Sequence, residues 1–147
     1  MIRRPRRLIL ILVGVAVFVL ISGGLARWLT LEGVERDDVM AVLNAEIRGE
    51  APAMLAQLHG CDGSCAANVR MDARRLRRPG KLLILAYDSA TAYALTSKVG
   101  KTRVAWKTGN RLPVVQCITV SRKGSVLSGL TVTLLAVSLP IPDQADC

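Results

Sequence analysis

Nineteen consecutive residues without a charge, Leu8 to Ala26 (LILILVGVAVFVLISGGLA), follow the basic tip MIRRPRR. No other feature limits the chain as strongly. A helix of that length rises about 28 Å, close to the ~30 Å hydrocarbon thickness of a bilayer. Arg3, Arg4, Arg6 and Arg7 resist transfer through lipid and hold their end in the cytoplasm, so the C-terminal part is expected outside it. A buried core helix of a soluble protein is the alternative. Hydrophobicity on every side next to a basic tip argues against it.

Such a segment either stays as a signal anchor or is removed as a signal peptide. The dense apolar part, Leu8 to Ile21, is short enough for a signal peptide, and Ser22–Gly24 or Gly24–Ala26 offer small-residue cleavage sites. Arg27 and Trp28 favour the retained anchor, because Trp prefers the headgroup level. Arg6–Arg7 fit simple positive flanks better than twin-arginine export. No Cys lies near the segment, which excludes a lipoprotein anchor. The expected division is an anchor over residues 1–30 and a domain over residues 31–147.

The formal charge of +9 would by itself point to nucleic acid. Four of those charges belong to the targeting tip, which leaves sixteen basic and eleven acidic residues elsewhere. An extracytoplasmic position and only five aromatic residues speak against nucleic acid, and the few aromatics weaken a sugar-binding reading as well.

Four cysteines, Cys61, Cys65, Cys117 and Cys147, suit an oxidised, exported domain. Three pairings are possible. Cys61 with Cys65 closes the shortest loop, which leaves Cys117 with Cys147, and this pairing is the one expected. A redox or metal site at His59–Cys65 is the competing use. The spacing Cys-x-x-x-Cys departs from the redox motif Cys-x-x-Cys, and a zinc site on His59, Cys61 and Cys65 needs a fourth ligand. No metal or cofactor is expected.

Beyond the anchor, Val34 to Arg48 carries Val39, Leu43 and Ile47 at four-residue spacing with Val42 beside them, the period of a helix. Gly49 ends it, Pro52 fits the first turn of a second helix, and Gly60 closes that one. Cys65 to Arg78 makes a third, with a stripe of Ala66, Val69, Ala73 and Leu76, stopped by Pro79–Gly80. Runs rich in Val, Thr, Leu and Ile follow at Leu82–Tyr87, Thr91–Lys98, Lys101–Thr108, Leu112–Arg122 and Leu130–Leu139, separated by turn signals. Thr102, Val104 and Trp106 alternate with Lys101, Arg103 and Lys107, as in a strand with one wet face. The expected fold is α+β: an N-terminal transmembrane helix, then two or three helices packed on a curved four- to five-stranded antiparallel sheet.

The helix–Gly–helix opening VMAVLNAEIRGEAPAMLAQL (Val39–Leu58), the helix ending in RRPG (Arg77–Gly80) and the strands after it resemble the nuclear-transport-factor-two-like superfamily, also called SnoaL-like or cystatin-like. The likeness covers Val34 to Leu139 and lies in element order. It implies a cone whose open end can hold a small apolar ligand, and enzymes of this kind place Asp, His or Tyr inside it. No catalytic set carries over. His59 is the only histidine and sits near a helix end, Asp72 stands among arginines where a surface ion pair is expected, and Asp88 falls in a turn. Tyr87 with Tyr93 or Asp88 is the best candidate for acid–base work, against the plainer role of a strand aromatic and a turn acid. No nucleophile elbow, Walker loop or dinucleotide fingerprint occurs.

The most unusual feature is basic. Arg70, Arg74, Arg75, Arg77, Arg78 and Lys81 crowd one stretch with Asp72 as its only acid. On a helix, Arg70, Arg74, Arg77 and Arg78 would fall within about a 100° arc away from the apolar stripe. That face is a candidate contact for anionic headgroups, a cell-wall polymer or an acidic envelope protein, against the plainer role of a solvated helix face. The reading is a membrane-tethered extracytoplasmic binding or assembly module. A small isomerase- or hydrolase-type enzyme using the cone is the alternative, and it requires an enclosed pocket.

Overall fold

The computed structural model describes residues 4–89, 99–125 and 129–147 and separates into two compact units, Met1–Leu31 and Glu32–Cys147. Its elements are α1 (Arg4–Arg48), α2 (Ala51–Gln57), α3 (Gly63–Arg75), β1 (Leu82–Asp88), β2 (Val99–Thr108), β3 (Val114–Ser125) and β4 (Gly129–Val137).

In the first unit, Leu8–Ala26 is helical, exposed along its whole length, and long and apolar enough to cross a membrane. The Trp28 side chain lies outside the described residues.

In the second unit, the stripe Val39, Val42, Leu43 and Ile47 is buried. Gly49 ends α1 with φ +76°, its N–H donating to the Glu46 carbonyl, while the Glu50 N–H reaches the Ala45 carbonyl (both 2.9 Å). These are the two bonds of a Schellman cap, which satisfies carbonyls that the helix end would otherwise orphan. A side chain at Gly49 would also meet the Arg77 stem at 3.0 Å and the Ala73 carbonyl at 3.1 Å. This glycine therefore ends one helix and lets another chain segment pass against it. α3 buries Ala66, Val69 and Ala73. It stops at Arg75, three residues before the end read from sequence, with Leu76 as its cap.

The four strands form an open antiparallel sheet in the order β1–β2–β3–β4. Thr102, Val104 and Trp106 point into the core, as their alternation implies, and meet Ile118, Gln116 and Val114 across β3. The strand read at Thr91–Lys98, with Tyr93, lies outside the described residues. β3 continues through Lys123–Ser125, where a turn is expected from the sequence.

Two irregularities matter for side-chain aim. Between Ile84 and Ala86 the register against β2 slips by one, so Leu85 bulges. A one-residue insertion reverses which side of the sheet each later residue faces. Tyr87, rather than Ala86, thus pairs with Val104 on the core face. A second slip, at Leu135, lets Leu134 and Val137 both turn inward.

Both expected disulfides are present: Cys61–Cys65 (Cα–Cα 5.2 Å) and Cys117–Cys147 (Cα–Cα 5.7 Å). The second ties the tail to β3, beside a bridge between Ile141 and Val115. Chain entropy makes their contributions unequal. The bridge spanning 30 residues removes about 3.5 kcal/mol of unfolded-state freedom, against about 2 kcal/mol for the bridge spanning 4. Replacing Cys117 and Cys147 by Ser is therefore expected to lower the urea midpoint of the domain more than replacing Cys61 and Cys65.

Candidate functional site

Glu35, Val39, Val42 and Glu46 fall at steps of four, three and four residues along α1, which is one helical face. All four are fully buried. The apolar stripe thus ends in a carboxylate at each side, about 16 Å apart at 1.5 Å per residue.

At the Glu35 end, three hydroxyls donate to Oε1: Tyr87 Oη at 3.0 Å, Ser89 Oγ at 3.1 Å and Thr102 Oγ1 at 2.5 Å. The bulge at Leu85 is what turns Tyr87 toward it. The Arg36 guanidinium covers the Tyr87 ring at 5.7 Å. Burial lowers the pKa of Arg122, and the charge of Glu35 partly offsets this. All three donors converge on one oxygen, Oε1, while Oε2 is buried without a hydrogen-bond partner among the described residues, so the cluster holds this carboxyl in place inside the fold. Tyr87 therefore serves to hold Glu35, and Asp88 pairs with Arg103 at 3.8 Å.

At the Glu46 end, the chain of bonds runs through the sheet. Trp106 Nε1 donates to Gln116 Oε1 at 2.7 Å, and Gln116 Nε2 donates to Glu46 Oε1 at 2.8 Å and to the Ser138 carbonyl at 3.2 Å. Glu46 Oε2 receives no hydrogen bond. Burial pushes the Glu46 pKa up to about 8, helped by the charge of Asp72 and opposed by the Gln116 bond and by Arg78. Asp72 on α3 is fully buried, and neither of its carboxylate oxygens has a hydrogen-bond partner. Burial raises its pKa to about 6 against the pull of Arg75. The surface ion pair expected of Asp72 is thus replaced by an interior acid: its position beside Ala73 puts it on the inner side of α3.

With Asp72 turned inward, the basic stretch loses its one acid. Arg70, Arg74 and Arg77 are exposed, and none of them makes an ion pair among the described residues. Arg70 and Arg74 lie on α3. Arg77 and Arg78 come after its end, so the arc drawn for a longer helix does not apply to them. Arg77 lays its aliphatic stem against the Gly49 backbone. Arg78 is half-buried and occupied. Its N–H donates to the Ile47 carbonyl, its Nη1 donates to the Leu112 carbonyl (both 2.9 Å), and its guanidinium sits 5.8 Å from the centre of the Trp106 ring. Arg78 is a structural strap, while Arg70, Arg74 and Arg77 remain available.

No family model, no curated protein and no solved structure matches this chain.

Cys61 and Cys65 are bonded to each other, which withdraws their thiolates from metal or redox work while the bridge is intact. His59 is exposed, and its charge acts on Asp38, whose pKa is raised by burial and by Asp37 and lowered by His59. Among the described residues, an open depression of about 400 Å³ lies where Lys101 and Arg103 meet the C-terminal tail, lined also by Asp88, Ser89, Gly100, Asp146 and Cys147. Its cations are committed. Lys101 Nζ donates to the Cys147 carbonyl at 2.9 Å, and Arg103 donates to the Ala145 and Asp143 carbonyls.

Sequence reasoning passed over Glu35 and Glu46 because a charged residue reads as solvent-facing. The signal was present: a step of four residues back from Val39 and four forward from Val42 lands on both.

Proposed function

We propose that this chain is a single-pass, membrane-tethered module that carries its folded domain outside the cytoplasm and binds an anionic partner through Arg70, Arg74 and Arg77. The observation that carries the reading is that Arg70 and Arg74 on α3, and Arg77 just past its cap, are exposed and make no ion pair among the described residues, in a stretch whose only acid, Asp72, is buried. A helix C-terminus favours cations by its dipole, which accounts for Arg74 and Arg75. It does not account for Arg70 in mid-helix or Arg77 beyond the cap. Guanidinium forks match carboxylate and phosphate geometry, so an acidic envelope protein or an anionic headgroup surface fits. The exposed apolar helix Leu8–Ala26 and the two disulfides support the tether and the oxidising location. The likeness to cone-type folds rests on element order and is part of this reading, as is the retention of the anchor.

The test is retention of the detergent-solubilised full chain on immobilised polyglutamate at two salt concentrations. Arg74→Glu with Arg77→Glu is expected to weaken retention roughly tenfold, about 1.4 kcal/mol, at low ionic strength, with a smaller loss in higher salt. The same reversal at Lys101 and Lys107 is the control. Retention that ignores the arginine reversal, or that falls equally for both pairs, removes the assignment.

A further inference from the structure

The end of α1 meets α3 and the residues after it at a close seam. Gly49 has no room for a side chain against Ala73 and Arg77, and the Arg78 N–H is bonded to the Ile47 carbonyl. Glu46 on α1 and Asp72 on α3, the two elements that flank that seam, are both fully buried, and three of their carboxylate oxygens receive no hydrogen bond. The charge of Asp72 acts on Glu46. Two ionised carboxylates there would repel each other, and three of their four oxygens would lack the donors that buried anions need. The other charges acting on them are Arg78 on Glu46 and Arg75 on Asp72. Arg78 is already engaged by the Leu112 carbonyl and the Trp106 ring. β3 supplies a neutral amide, Gln116, and β2 supplies the Trp106 indole behind it.

We propose that Glu46 and Asp72 form a proton-operated latch, which clamps α3 and the segment Leu76–Arg78 onto α1 and the sheet while the pair holds a proton and loosens them when the proton leaves in alkaline surroundings. The proton departs to solvent, no bond other than O–H is broken, and the charge left behind is the repulsion that opens the seam. α3 carries Arg70 and Arg74, so opening it shifts those side chains as well.

Trp106 reports on the latch, because its indole bonds to the amide that bonds to Glu46. The experiment uses the full chain in detergent with Trp28→Phe, so that Trp106 is the only tryptophan, and follows its fluorescence and the hydrogen exchange of α3 amides from pH 5 to 9. The expected result is a fluorescence change with a midpoint between about pH 6 and pH 8. Protection factors of α3 amides should fall at least tenfold above it, about 1.4 kcal/mol of opening free energy. Glu46→Gln keeps the acceptor for Gln116 and abolishes the midpoint. Asp72→Asn removes the like charge and moves the midpoint down. A flat signal, or a midpoint unmoved by Glu46→Gln, overturns the latch. If Glu46→Gln lacks a cooperative melt at pH 5, Asp72→Asn decides, and an unshifted midpoint there overturns it too.

Discussion

Raising the pH from 5 to 8 is expected to lower the stability of the disulfide-bonded domain by several kcal/mol, and Glu46→Gln to remove most of that loss. Burial holds the Glu46 pKa at about 8, far above the ordinary 4.5, and the unfolded chain returns it to the ordinary value. Between those two pH values the folded protein binds more protons than the unfolded one. Stability from this group is therefore complete below about pH 4.5 and disappears as pH climbs toward 8. Each unit of difference is worth about 1.4 kcal/mol, so the ceiling is on the order of 3 to 5 kcal/mol. Asp72, held at about 6, acts in the same direction over a lower window. The two titrate as a pair, so their contributions do not simply add. Asp38, whose pKa is also raised by burial, has the same sign. The measurement is the urea midpoint at pH 5, 6.5 and 8 for the native chain and for Glu46→Gln. A midpoint that holds steady, or rises, with pH would mean that Glu46 is ionised in the folded state.

Much of the architecture was legible because apolar periodicity is a direct imprint of burial. The stripe Val39–Leu43–Ile47 and the alternation of Thr102, Val104 and Trp106 mark core faces correctly. The cysteine spacing favoured the pairing that the structure has, since a four-residue loop closes at little entropic cost. What periodicity cannot convey is a polar residue on the inner face. Glu35, Glu46 and Asp72 interrupt their stripes, and each interruption reads as an edge. The Leu85 bulge is equally silent. It puts Tyr87 on the core face through a one-residue register slip that alternation alone would have assigned to Ala86 or Asp88. The end of α3 at Arg75 was obscured because Leu76 continues the apolar stripe while serving as the cap. The arginine cluster itself was plain in the sequence. What could not be read was that its one acid points inward and leaves it unneutralised.

Trp106→Ala is expected to be the most damaging single substitution in the domain, at about 3 to 5 kcal/mol. Trp106 is the largest fully buried side chain and lies in β2, between β1 and β3. Truncation empties the space its indole fills and costs both the transfer of that surface and the cavity left behind. It also strips Gln116 Oε1 of its donor and Arg78 of the ring beneath its guanidinium. Trp106→Phe separates these effects. The phenyl ring keeps most of the packing and the face toward Arg78 but has no N–H, leaving a buried acceptor unpaired at a cost of about 1 to 3 kcal/mol. Chemical denaturation of both variants at pH 5, where Glu46 is protonated, reads the packing loss without the charge. At pH 8 the Phe variant is expected to lose further ground relative to the native chain. With its indole partner gone, Gln116 is less firmly placed to donate to an ionising Glu46. A Trp106→Ala variant within 1 kcal/mol of the native chain would mean that the indole does not occupy the centre of this core, and the polar chain from β2 through β3 to α1 would fall with it.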